Sequence, residues 1–276
     1  MTVSHPVART AFYCCMLRAD DAAAARPVCG DAFAARFLDD GIRRELEPLL
    51  RFRGPKVSNV ARHRLIDDLI RARLARDPDR RVLVLGAGFD TRAFRLHGGR
   101  WWEIDEAELL AFKEQRLPAG EAPNPLARVP VAFEQDELAR ALAPLAGDDP
   151  ALVVVEGVTM YLADKTLATL TSTVRAALPN ATLVADLMTP GFARTFSRSL
   201  RRELTRLGAR FAHRRRHPRH VIEAAGYVPR ERHSIAGRAR DAGAFPIPGW
   251  IFHTVLRGLR DGYAVWVFEP GAPSGR

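Results

Sequence analysis

Arg81-Val82-Leu83-Val84-Leu85-Gly86-Ala87-Gly88-Phe89-Asp90-Thr91-Arg92 is the stretch on which the reading of the fold turns. Four consecutive apolar residues, two of them β-branched, run into a glycine turn and then into a polar, helix-starting sequence. A short continuous apolar run of this kind suits a central parallel strand covered on both faces. Gly86 and Gly88 permit backbone angles and a closeness of approach that a side chain forbids. A strand, a glycine turn and a helix in that order make a binding place for a nucleoside-containing ligand at the carboxyl end of the strand. The next strand candidate, Trp101-Trp102-Glu103-Ile104-Asp105, ends in an acid 17 positions beyond Gly88, near the spacing of a ribose-binding carboxylate.

Working outward, strand and helix patterns alternate from residue 81 to residue 187. Glu106 to Leu117 reads as helix, Arg128 to Phe133 as a weak strand and Asp136 to Leu145 as helix. Ala151 to Val155 is a second apolar run ending at Glu156-Gly157. Lys165 to Leu178 is an amphipathic helix and Ala181 to Leu187 another buried strand. That alternation is the signature of a parallel sheet with crossover helices. It breaks at Met188, where residues 190–220 form an arginine-rich helical insertion. Val221 to Ala225 is a further helix, and Gly262 to Phe268 makes a good last strand. The expected organisation is a helical cap over residues 1–78, a sheet domain over 79–270 with its insertion at 190–220, and a disordered tail over 271–276.

In the cap, Ala11 to Arg26 is an alanine-rich helix, and Asp31 is expected to cap a helix over Asp31 to Leu38 through its side chain. Ser58 or Asn59 would cap a longer helix whose apolar stripe is Leu65, Ile66, Leu69, Ile70 and Leu74. Arg62 lies one turn before that stripe and shares its inward face, so it needs an anion or acceptors. A salt bridge within the fold and a ligand carboxylate stand level. Glu156 follows five apolar residues and should meet a cation or hydrogen-bond donors, while Asp90 is expected to cap the next helix.

The 276 residues are enough to bury a sizeable core. The formal charge of +10 resembles a nucleic-acid signal, but only Lys56, Lys113 and Lys165 are lysines, and an arginine/alanine bias is what a GC-rich genome gives. Nucleic acid is therefore disfavoured as a partner. Cys14, Cys15 and Cys29 have no metal spacing and are too few and odd for a disulfide framework, so a reduced cytoplasm is the expected setting. No signal peptide and no membrane span are expected. His213, His217 and His220 lack an acid or cysteine at ligand spacing, and no metal is expected. The recurring Arg198, Arg201, Arg202, Arg206 and Arg210 read as a solvated helix face compensated by Glu203, with a lid that attracts an acidic substrate as the sharper alternative.

Gly86 to Thr91 has the first two glycines of G-x-G-x-x-G, but Thr91 stands at the third, which lets a helix pack under a pyrophosphate. Asp90 would also repel phosphates at a helix start. A nucleoside with a cationic tail, such as S-adenosylmethionine, fits better than a dinucleotide. Here the residues resemble a family. Arg81 to Leu96 looks like the glycine loop of the leucine carboxyl methyltransferases, a group that includes bacterial O-methyltransferases of polyketides and other small acids. Trp102 to Asp105 with Ala111-Phe112-Lys113 is similar to its second-strand segment, and Glu156 to Leu162 to its E-G-x-x-x-Y-L motif. Arg9-Thr10-Ala11, Arg18 and Asp31 to Leu38 look like its N-terminal helices, so the resemblance covers most of residues 9–190.

The resemblance implies a class I methyltransferase sheet: seven strands, mostly parallel, the last antiparallel, with a helical insertion after the fifth. It implies S-adenosylmethionine as cofactor, with Gly86, Ala87 and Gly88 against it and Asp105 on the ribose. Arg62 and Arg18 would hold the methionine end, and Glu156 would complete the pocket. Where the family places Asp-Leu against the adenine this chain has Ala132-Phe133, which leaves the Phe133 backbone for the ring and Asp136 as a substitute acid. A carboxylate acceptor, ionised at neutral pH, needs no general base. No catalytic residue is therefore assigned, and a small acidic metabolite is the expected substrate. A hydroxyl acceptor would want a base, with His97, His233 and His253 as candidates. The alternatives are a nicotinamide-dependent oxidoreductase on the same sheet and a non-catalytic or RNA-binding relative. The acceptor and the oligomeric state stay open.

Overall fold

The structure, a computed structural model, describes residues 6–132, 135–195, 205, 210–212, 217–244 and 247–272. Its centre is β1 (Arg81–Leu85), every residue of which is buried. β1 pairs in parallel with β2 (Arg100–Asp105) on one side and β4 (Ala151–Val155) on the other. β3 (Leu126–Pro130) lies outside β2, and β5 (Thr182–Met188) outside β4. The last strand, β7 (Tyr263–Pro270), runs antiparallel between β5 and β6 (Tyr227–Ser234), so the order is β3-β2-β1-β4-β5-β7-β6. Strand order reverses between β1 and β4, where an open α/β sheet forms its ligand crevice.

Alternation along the strands divides the core. Val82, Val84, Leu152, Val154 and Val184 face one cluster, and Leu83, Leu85, Val153, Val155 and Leu183 face the other. Both clusters are apolar, which is why β1 and β4 read as unbroken runs. The first cluster is roofed by α1 (Pro6–Ala22) and α3 (Arg53–Leu74), with α2 (Asp40–Leu46) between them in the chain. The short α4 (Arg92–Arg95) follows the glycine turn, and α5 (Ala107–Arg116) follows β2. α6 (Gln135–Leu142) and α7 (Asp164–Ala177) cover the second cluster. No described helix is long and apolar enough to cross a membrane.

Several expectations are corrected. α3 starts at Arg53, with Phe52 at its N-cap making no side-chain bond. Ser58 and Asn59 lie inside it, the Ser58 hydroxyl donating to the Pro55 carbonyl. Residues Ala32–Phe37 form a 3-10 helix, and Asp31 does not cap it. Its carboxylate accepts instead from Arg18 Nε at 2.9 Å and from the Thr91 hydroxyl at 2.7 Å. β3 begins two residues before its expected start and ends at Pro130. Of the insertion, Pro190–Thr195 is helical; Arg198, Arg201, Arg202, Glu203, Arg206 and His213 lie outside the described residues, as do residues 273–276 of the tail.

Candidate functional site

Register brings the chemistry into one row. Leu85 pairs with Ile104, Val84 with Val154, and Val155 with Ala185. One step further along each strand stand Gly86, Asp105, Glu156 and Asp186, level across β1, β2, β4 and β5. Side chains alternate along a strand, so these positions share the face of Val84, Val154 and Val184, under α1 and α3. A cavity of about 310 Å³ opens there, lined among others by Arg18, Arg62, Gly86, Ala87, Gly88, Asp105 and Glu156. The structure thus brings together every expected cofactor residue except Phe133, which lies outside the described residues.

The glycine turn has no room for a side chain at Gly86. Gly86 has φ +69°, and a Cβ there would lie 2.4 Å from Val158 Cγ2. Gly86→Ala is expected to destabilise the fold by roughly 1–3 kcal/mol through overpacking and left-handed backbone strain. Val158→Ala should recover the part due to the clash, read as midpoints of thermal unfolding. Phe89 anchors the turn, its ring 4.6 Å from Phe12 of α1 and 4.7 Å from Phe37. Arg18 Nη2 donates to the Phe89 carbonyl at 2.7 Å, tying α1 to the same loop.

Asp105 is 7% exposed. Its Oδ2 accepts the Gly88 amide at 2.6 Å and its Oδ1 the Glu106 amide at 2.7 Å. Burial raises its pKa against those two bonds. Each oxygen keeps a further lone-pair site for a ligand hydroxyl.

Beneath the cavity lies a buried ionic network. Arg92, fully buried, donates through Nε to Asp67 at 2.6 Å, through Nη2 to Glu156 at 2.6 Å and through Nη1 to Asp90. Asp90 also accepts the Arg92 amide at 2.7 Å, so it serves the helix start from one residue before the N-cap, Thr91. Arg62 donates through Nε to Glu156 at 2.9 Å, and through Nη1 to Asp186 at 3.1 Å and Tyr263 Oη at 2.6 Å. Its Nη2 lies beside Gly157, where a Cβ would come within 3.1 Å. Arg95 bonds Asp67 at 2.7 Å. Burial disfavours the charged form of Glu156, but the cations around it, Arg92 foremost, hold its pKa well below the ordinary value. The expected cation for Glu156 is therefore present twice over.

His63 sits inside this network, with Arg92 Nη2 2.8 Å from Nδ1 and Arg95 Nη2 2.7 Å from Nε2. Burial, then the Arg92 charge, lower its pKa from 6.5, so it folds as the neutral ring. The unfolded chain takes up a proton near pH 6.5 that the folded chain refuses. Stability is accordingly full above that pH and falls as the pH drops below it, by up to about 1.4 kcal/mol per unit for one proton. His217, held to about 4 by burial and Arg219, acts in the same direction. Urea midpoints between pH 5 and 7.5 should decline on the acid side, and His63→Gln should remove one proton's share of the slope while leaving that of His217.

Arg92, His63, Asp67, Asp186 and Tyr263 escaped the sequence reading. Asp186 carried the clearest signal, as the only charged residue in the apolar strand Thr182–Met188. The three histidines considered as bases, His97, His233 and His253, line neither this cavity nor the one beside it. Among the described residues no group of three or more His, Cys, Asp or Glu is arranged to hold a metal ion. Ala132 follows the buried Val131, and its amide donates to Glu137 Oε2 at 2.8 Å; the expected substitute, Asp136, is exposed.

The second cavity, about 330 Å³, adjoins the first through residues lining both: Thr10, Cys14, Arg62, Met160 and Tyr161. Together, the sheet order, its antiparallel last strand and the crevice at β1 and β4 are those of a class I methyltransferase fold. A DUF574-family protein from Streptomyces avermitilis matches with a TM-score of 0.59, over 84% of this chain and 91% of its own, at 14% identity. An O-methyltransferase family protein from Burkholderia thailandensis matches with a TM-score of 0.50, over 87% of this chain and 63% of its own, at 15% identity. At such identities the likeness concerns the fold alone.

The leucine carboxyl methyltransferase family profile matches residues 11–175, more than half of the chain, and the chain belongs to that family. It is 39% identical over 120 residues to a Saccharopolyspora erythraea protein provisionally named an S-adenosyl-L-methionine-dependent methyltransferase, a match covering 41% of each chain. A Frankia alni protein with the same provisional name is 37% identical over 112 residues, covering 38% of this chain and 39% of its own. The matches thus span about two fifths of the length of these relatives.

Proposed function

We propose that the chain is an S-adenosylmethionine-dependent O-methyltransferase acting on a small metabolite. The observation that carries this reading is the level row of Gly86, Asp105, Glu156 and Asp186 at the β1/β4 crevice, with a second cavity opening from the same wall. The residues present fit the cofactor. Gly86, Ala87 and Gly88 let it approach the backbone, and Asp105 has lone pairs for both ribose hydroxyls. Arg18 and Arg62 would serve the methionine end, Arg62 through the Nη2 beside Gly157. Five arginines (18, 62, 71, 92 and 95) face five carboxylates (31, 67, 90, 156 and 186) in the network, so each of these acids has a cationic partner.

When bound, the cofactor supplies a methyl group on a sulfonium, a good leaving group. The chain's own contribution is to hold donor and acceptor in line, about 3 Å apart, and to exclude water. The shared wall of Thr10, Cys14, Arg62, Met160 and Tyr161 is where the two ligands would meet. Family membership favours this reading over the nicotinamide and RNA-binding alternatives. The test is release of S-adenosylhomocysteine on incubation with S-adenosylmethionine and a panel of alcohols and carboxylic acids of matched skeletons. Release that depends on one class of acceptor is expected. No release from any, with the cofactor bound, would place the chain among non-catalytic relatives.

A further inference from the structure

The second cavity differs in kind from the first. Its described walls are largely apolar, with Leu17, Val57, Met188, Phe192, Ile235 and Leu259 among them, and include no aspartate or glutamate. The one charged side chain among them is Arg62, whose Nε and Nη1 are already given to Glu156, Asp186 and Tyr263 and whose Nη2 is the group assigned above to the cofactor. A carboxylate entering here would lose its hydration and find only an arginine already shared by two other carboxylates, a costly exchange.

Two residues lining this cavity carry polar atoms that lack partners. Tyr13 Oη and Asn59 Oδ1 are buried without a hydrogen bond, on residues only 3% and 7% exposed. They come from the two roof helices and line the same space: Tyr13 with Thr10, Cys14 and Leu17 on one face of α1, Asn59 with Pro55 and Arg62 on one face of α3. Buried polar groups are nearly always paired. A carboxamide and a phenol in the wall of an apolar cavity are groups of the kind that orient a ligand in a binding pocket. The Asn59 carboxamide can accept through its oxygen or donate through its nitrogen, so a ligand group that does both suits it. Burial keeps the Tyr13 phenol protonated, so it can give or take a hydrogen bond.

We propose that this cavity takes an uncharged, mainly apolar molecule bearing a hydroxyl group, oriented by the side chains of Asn59 and Tyr13 in its wall. The inference rests on the methyltransferase reading only in making that molecule the methyl acceptor. It replaces the acidic acceptor expected from the family resemblance.

The test uses the intact chain and two matched pairs of probes, 2-naphthol with 2-naphthoate and 1-decanol with decanoate. Their binding is followed by calorimetry near pH 7.5, with and without S-adenosylhomocysteine. At least one alcohol should bind, about tenfold or more tighter than its carboxylate partner. Tyr13→Phe, which removes only the hydroxyl, and Asn59→Leu should each weaken that alcohol roughly fivefold. Neither variant lines the first cavity, so S-adenosylhomocysteine should bind both as it binds the parent, which also reports that they fold. The proposal is overturned if neither alcohol binds, if a carboxylate equals or exceeds its alcohol, or if both variants hold the alcohol as tightly as the parent. Should the alcohols behave as stated while S-adenosylhomocysteine does not bind, the ligand class stands and the methyltransferase reading fails.

Discussion

Arg92→Met is expected to lower stability by about 3–5 kcal/mol, because it removes one partner from a buried ionic network and leaves the others charged. Arg92 is fully buried and is the shared cation of Asp67, Asp90 and Glu156. Methionine fills comparable space, so the loss reflects stranded carboxylates more than a cavity. Arg92→Lys should recover little of it, since one ammonium cannot reproduce the planar fork that reaches three acids. Urea denaturation gives the measurement, a fall in midpoint with the slope unchanged. A loss below about 1 kcal/mol would mean that water or the other arginines compensate those acids and that the network is not organised around Arg92. The effect extends to the site. Without Arg92 the pKa of Glu156 should rise, because Arg92 is foremost among the cations holding it down.

Asp105→Ala should weaken S-adenosylmethionine binding by about 2–3 kcal/mol, roughly 30- to 150-fold, through loss of two charge-assisted bonds to the ribose. The same substitution releases the amides of Gly88 and Glu106, which the carboxylate holds at 2.6 and 2.7 Å. Loss of affinity could then reflect a loosened loop as well as a missing ligand contact. Asp105→Asn separates the two. Its carboxamide oxygen can keep one amide bond, while its nitrogen cannot accept from a ribose hydroxyl. A large loss in both variants places the ribose on Asp105. A loss confined to alanine would assign Asp105 to holding the loop, and unchanged affinity in both would remove it from the site.

The elements legible in the sequence are those whose burial is uniform. β1 and β4 are wholly buried and read as unbroken apolar runs; β3, half-covered at the sheet edge, gave no such run and was displaced. The start of α3 was missed because Phe52 carries no capping oxygen, while Ser58 and Asn59, which do, lie inside the helix. Asp31 had the residue type of a cap, but Arg18 and Thr91 claim its carboxylate. Gly86, Asp105 and Glu156 could be found because a parallel register sets strand ends level, and local pattern locates strand ends. The partners of Arg92 and Arg62 could not be found in this way. They come from α3, the glycine turn and the ends of β4, β5 and β7, and only the folded chain brings these segments together. The polar pair of Tyr13 and Asn59 was hidden for the same reason, since each alone reads as an ordinary helix residue.

Calorimetric titration of the protein with S-adenosylmethionine, S-adenosylhomocysteine and NAD bears most directly on the reading of the first cavity. Micromolar binding of the first two, lost in Asp105→Ala, and no heat with NAD is the expected result. Binding of NAD in preference to the adenosyl compounds, or adenosyl binding indifferent to Asp105, would contradict it.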